Sequence, residues 1–182
     1  VSFARRARIW SAISGVSDVG ALLRDPRWRK RAEAAAVGGR SAPFDEETTL
    51  LRPIPVPSAV VCVGQNYAAH IAEMGRQPPS APTLFGKVVG ALTDPEVPIE
   101  GCATSPALDY EGELVIVIGR PARNVRPANA LDHVAGYTLM NDVSARDLQY
   151  RTSQFFAGKN LERSTPVGAW MRSWPSGICT TG

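Results

Sequence analysis

The segment that most restricts the fold is a run of five aliphatic residues, Leu114-Val115-Ile116-Val117-Ile118, ended by Gly119. β-Branched side chains are stiff at χ1 and favour extended backbone. An unbroken apolar run of this length predicts a strand buried on both faces. It is also the longest aliphatic run in the chain, far short of the ~20 residues that span a bilayer. No signal-peptide layout precedes it. A chain of 182 residues with 44% hydrophobic and 20% charged residues is ordinary globular material, which excludes a disordered, collagen-like or coiled-coil polypeptide.

Around that run the sequence reads as short strands joined by short helices. Asp18 suits the cap of a first helix carrying Leu22 and Leu23, and Pro26 the first turn of a second running from Arg27 to Ala36, ended by Gly38-Gly39. Residues 41–58, with Pro43, Pro53, Pro55 and Pro57, read as a linker. Beyond it, Ala59 to Val63 and Tyr137 to Met140 are expected strands. Tyr67 to Met74 (closed by Gly75), Asn129 to Val134 and Ser144 to Tyr150 are expected helices, and Pro78, Pro79 and Pro82 force an extended loop. The class expected is α+β and β-rich.

Charge is uneven. Residues 1–40 hold nine Lys/Arg against three Asp/Glu, and the remainder eleven against fourteen. A basic segment can meet nucleic acid or an anionic membrane. Only Trp10 and Trp28 are strong aromatics among those charges, too few for a stacking platform, so a solvated face is expected, with neither nucleic acid nor membrane as partner. Cys62, Cys102 and Cys179 are an odd number without a CxxC pair and are expected as free thiols in a reducing, cytoplasmic setting.

The chemistry-bearing segment is Asp109-Tyr110-Glu111-Gly112-Glu113-Leu114. Residues two apart on a strand share a face at roughly 6.6 Å, so Glu111 and Glu113 present paired carboxylates where the apolar strand begins. Two like charges side by side call for a cation between them. Carboxylate oxygens suit Mg²⁺, Mn²⁺ or Ca²⁺ rather than zinc, and Asp142, just after the strand ending at Met140, is a third candidate ligand. The same pattern also describes a solvated sheet edge. His70 and Glu73 lie three apart on one helix face, an orientation in which a carboxylate raises imidazole basicity; an incidental surface pair has the same spacing. His133 is expected to be structural. Arg146, Gln149 and Lys159 are candidates for holding an anionic substrate, Lys159 from a glycine-relieved turn. Arg146 could equally pair with Asp142 or Asp147.

Together these motifs resemble the fumarylacetoacetate hydrolase family. The matching stretches are Val63-Gly64-Gln65-Asn66-Tyr67 with His70 and Glu73; Leu84-Phe85-Gly86-Lys87; Asp109 to Leu114 with Ile118-Gly119; Gly136-Tyr137 with Asn141 to Gln149; and Gly158-Lys159 followed by Pro166-Val167-Gly168. The resemblance covers roughly residues 59–174. It implies a mixed β-roll or sandwich with short helices in the connections. It further implies a divalent ion (Mg²⁺, or Mn²⁺ or Ca²⁺) on Glu111, Glu113 and Asp142, and a lid carrying the catalytic pair His70 and Glu73. Lys159 would be catalytic, with Lys87, Arg146 and Gln149 binding substrate. The implied activity is cleavage of C–C bonds in small 2-oxo or 1,3-diketo acids, with decarboxylation, hydration or isomerisation of related acids as alternatives. A homodimer is implied as well. Gln65 and Gly86 depart from the usual pattern. Similar proteins continue with further strands beyond Trp174, so residues 59–182 are expected as a partial catalytic domain after a helical and linker region at 1–58, and an inactive remnant is the other alternative.

Overall fold

The computed structural model describes residues 9–11, 13–38, 41–43, 49–100 and 103–173. They form an α+β, sheet-rich arrangement. Contacts divide the chain into two compact units, one of residues 1–55, 114–139 and 168–182, the other of residues 56–113 and 140–167.

In the first unit, β1 (Ile9–Ser11) pairs antiparallel with β2 (Ser41–Pro43). β2 falls in the stretch expected as linker, a three-residue strand that ends at Pro43, which has no N–H to donate. Helix α1 (Val19–Leu23) begins where the sequence predicts, because Asp18 accepts from the Ala21 N–H at 2.8 Å. Helix α2 (Trp28–Gly38) starts later than expected, leaving Pro26 in the turn before it. Leu22 and Trp28 pack with Val117 and Ala135 in the core of this unit, lined further by Ile54, Val115 and Met171.

The aliphatic run forms β7 (Gly112–Ile118), but it is buried on one face only. Val117 is buried, whereas Leu114, Ile116 and Ile118 are each more than half exposed. An apolar run fixes the strand; which faces are covered is decided by what packs on them, and here α1 and α2 contribute to one side. β7 lies beside β8 (Val134–Asn141), which pairs antiparallel with β11 (Arg172–Ser173). The short helix expected at Asn129 to Val134 is a 3-10 helix at Pro127–His133.

In the second unit, β3 (Val60–Gly64) and β4 (Thr83–Lys87) form an antiparallel ribbon in which Cys62 faces Phe85. Between them lie α3 (Ala68–Glu73), with Gly75 at φ +65° as its left-handed stop, and the proline loop. Short pairs complete the unit. β5 (Leu92–Thr93) runs parallel to β10 (Thr165–Pro166), and β6 (Leu108–Asp109) antiparallel to β9 (Ser144–Ala145). Only Arg146–Gln149 (α4) of the helix expected at 144–150 is helical, since Ser144 and Ala145 are drawn into pairing with β6. Helix α5 (Phe156–Lys159) follows. Lys159 therefore ends a helix rather than sitting in a glycine turn. Gly158 serves close approach: a Cβ there would lie 2.6 Å from the Gln149 backbone nitrogen.

Among the described residues no helix is long and apolar enough to cross a membrane. Cys62 is a buried free thiol; Cys102, Cys179 and the chain beyond Ser173 lie outside the described residues.

Candidate active site

Six of the nine predicted site residues are joined by hydrogen bonds and ion pairs in the second unit. Asp142 follows β8 directly, and its N–H donates to the Glu111 carbonyl at 2.8 Å. The Glu111 N–H in turn donates to the Asn141 side chain at 3.0 Å. These two bonds lock the segment before β7 to the segment after β8, which brings both carboxylates to one place. Lys159 Nζ stands between them, 2.5 Å from Glu111 Oε2 and 3.0 Å from Asp142 Oδ2. Lys87, on β4, donates to the other Asp142 oxygen at 2.6 Å and also to the Lys159 carbonyl. Both lysines and Asp142 are essentially sealed from solvent. Isolated buried charges are strongly disfavoured, and pairing of this kind is what permits them.

Arg146 flanks the cluster. Its Nε and Nη2 reach Asp109 Oδ2 at 2.9 and 2.6 Å, and its Nη1 donates to Glu111 Oε1 at 2.7 Å and to Gln149 Oε1 at 2.8 Å. The partners expected from spacing, Asp142 and Asp147, are thus replaced by two carboxylates distant in sequence. In this arrangement Arg146 positions Glu111 and Gln149.

The two glutamates differ electrostatically. Burial pushes the Glu111 carboxyl up, but the hydrogen bonds and charges of Lys159 and Arg146 outweigh it and hold it below the ordinary value. Glu113 is raised, first by burial and then by the nearby negative charges of Glu111 and Asp142, against a hydrogen bond from Tyr67 that pulls it down. Tyr67 stands at the N-cap position of α3, so this bond ties the helix bearing His70 and Glu73 to the carboxylates. Its place immediately before that helix was the available signal for it in the sequence. The Cys62 thiol is pushed up to about 11, chiefly by burial and next by Asp142, with Lys87 and Lys159 opposing. It is a neutral thiol at physiological pH.

His70 and Glu73 share a face of α3 as spacing requires, but both are largely exposed and stand 3.7 Å apart. That is beyond hydrogen-bond length. A groove of about 320 Å³ lies beside this helix, lined by Val63, Gln65, Asn66, Ala68, Ile71 and Pro78 among others.

The donor types fit a hard divalent cation, and the raised Glu113 carboxyl is a negative site that such a charge would stabilise. Among the described residues no three carboxylate, imidazole or thiol groups are arranged to hold a metal ion, because the oxygens of Asp142 and one of Glu111 are already on ammonium groups. Of the three residues expected as ligands, Glu111 and Asp142 are bridged by Lys159.

The family profile described as fumarylacetoacetate (FAA) hydrolase C-terminal matches residues 59–177. The chain belongs to the fumarylacetoacetate hydrolase family. Protein Rv2993c of Mycobacterium tuberculosis is 47% identical over 133 residues, covering 73% of this chain and 49% of that protein. Oxaloacetate tautomerase YisK of Bacillus subtilis is 42% identical over 126 residues, covering 67% and 42%. The solved structure of 5-carboxymethyl-2-hydroxymuconate delta-isomerase from Mycobacterium smegmatis superposes with a TM-score of 0.66 at 43% identity, covering 76% and 54%. The chain spans about half the length of the curated relatives it matches. The fold expected from the motifs is the fold of these fumarylacetoacetate hydrolase relatives.

Proposed function

We propose that this chain carries the acid–base and charge-stabilising residues of an enzyme that moves protons on a small, enolisable 2-oxo acid, as a tautomerase or isomerase. The observation that carries the reading is the buried Lys159 ammonium shared by Glu111 and Asp142 and backed by Lys87. Keto–enol interconversion removes a proton from one end of the O=C–C–H unit and returns one at the other, through an enolate, and consumes no water. A fixed ammonium in a low-dielectric setting favours that developing negative charge. The relatives named as an oxaloacetate tautomerase and a muconate isomerase support the same class.

In this reading Lys159 donates to the enolate oxygen, Asp142 and Lys87 hold that ammonium in place, and His70 takes and returns the proton at carbon. Gln149 keeps its amide N–H groups for a substrate oxygen while its Oε1 accepts from Arg146. Glu111, Glu113 and Asp142 would hold a divalent ion such as Mg²⁺ or Mn²⁺ in competition with the lysines, and when bound it supplies Lewis-acid stabilisation of the same oxygen. The substrate is a small 2-oxo acid, and a homodimer is part of the proposal.

Cleavage of C–C bonds in acylpyruvates is the second reading. It needs in addition a water activated by His70 and oriented by Glu73, and the open 3.7 Å pair is less developed than the lysine cluster. The two readings separate by offering enol-oxaloacetate and an acylpyruvate in parallel, each with Mg²⁺ or Mn²⁺. Accelerated ketonisation, reduced about 10²–10⁴-fold in both Lys159→Met and His70→Ala, is the expected result. Acylpyruvate cleavage without accelerated ketonisation would replace this reading by the hydrolytic one.

A further inference from the structure

The first unit contains a polar concavity that uses none of the residues above. β7 ends where the Gly119 N–H donates to the His133 carbonyl at 2.9 Å. A Cβ at Gly119 would lie 2.6 Å from the Ala135 Cβ, so only glycine permits this closure. The chain between is therefore thrown outward as a loop, stiffened by Pro121 and Pro127 and turned at Asn124, whose φ is 52°. It encloses a groove of about 570 Å³ lined by residues 121–126 with Asn129 and His133.

The groove is built for negative charge. Arg123 and Arg126 line it, and their guanidinium groups have no hydrogen-bond or ion-pair partner among the described residues. His133 forms part of the groove wall, and its Nδ1 is turned inward, buried and without a hydrogen-bond partner. Arg29 adds to the field from α2: its guanidinium lies 4.3 Å over the Trp28 ring and donates to the Val134 carbonyl at 3.4 Å, and it is close enough to Arg120 to feel that charge. The acidic groups nearby are Asp132, next to His133 in the chain, and Glu33, whose charge acts on Arg29.

We propose that this groove binds a small polyanion, a phosphate ester or polycarboxylate, between the Arg123 and Arg126 guanidinium forks, with the His133 ring in the groove wall. Two planar forks match carboxylate and phosphate oxygens, and the volume is that of a small-molecule site rather than a duplex groove.

The sequence contains two histidines, His70 and His133, so imidazole NMR reports this site through one of two resolvable ring signals. Pyrophosphate and citrate are titrated separately into the whole chain at constant ionic strength. The His133 signal is expected to shift and saturate, and Arg123→Ser/Arg126→Ser should weaken that saturation at least tenfold while leaving the His70 response as in the parent. Saturation by both anions identifies a general polyanion site, and by pyrophosphate alone a phosphate site. A His133 signal that never saturates up to about 10 mM of either anion, or that saturates equally well in the double variant, overturns the proposal. If the double variant loses its folded spectrum, the two single substitutions carry the same test.

Discussion

The lysine–carboxylate cluster and the His70–Glu73 pair are both acid–base arrangements in the same compact unit, but their surroundings differ. In the cluster, Asp142 and both lysines are sealed from water, Glu111 is partly buried, and every contact is tight: Asp142 has one lysine on each oxygen, and Lys159 has a carboxylate on either side. On α3 the imidazole and carboxylate are in water and sit loosely at 3.7 Å. Burial makes an unpaired charge prohibitive, so the chain must supply partners from distant segments. Exposure removes that demand, and the pair is left free to move. The cluster carries stability and fixed charge, and the exposed pair contributes little to stability.

The sharpest way to break this contrast is Asp142→Ala. It strands two buried ammonium groups and should cost about 3–5 kcal/mol in urea unfolding; a loss no larger than that of a surface substitution would show that the lysines find other partners. A smaller and pH-dependent effect is expected for Glu111→Gln. Because the folded-state pKa of Glu111 lies below its ordinary value of 4.5, its stabilisation is present above that value and is lost as pH falls through the lower folded value. The variant should be the less stable at neutral pH, and the gap in urea midpoint should close in acid. The smallest effect is that of His70→Ala on stability, within about 0.5 kcal/mol in the same unfolding experiment, although the same substitution is expected to remove most turnover. A large loss of stability would show that α3 is held by contacts of His70 and erase the distinction.

Local chemistry was legible in the sequence where a few adjacent residues decide the outcome. Asp18 caps α1, Gly75 stops α3 and the prolines at 78, 79 and 82 keep their loop extended, all as read. The ordered motifs carried the family and its fold. Features that depend on distant segments were not legible. Nothing near Leu114 tells whether one or both faces of β7 are covered. Strand β4 was not recognised from its residues, since Thr83–Lys87 becomes a strand by pairing with β3. The partners of Arg146 lie 37 and 35 residues away, at Asp109 and Glu111, while the nearer Asp142 is taken by lysines. Proximity of three carboxylates could be guessed from spacing; that an ammonium would come between two of them could not, because Lys159 is placed by the packing of α5.

That packing has a consequence of its own. The height of the Lys159 side chain above the carboxylates is set by how far one short helix can sink towards the next, and the limit is the absent methyl group of Gly158. An alanine there alters no charge and removes no hydrogen-bonding group, yet its new carbon would press on the Gln149 main chain, 2.6 Å from the nitrogen and 2.7 Å from Cα. Relief requires the helix to back away and take the ammonium with it. A neutral, one-carbon change outside the ring of ionised side chains is therefore expected to mimic deletion of the lysine itself.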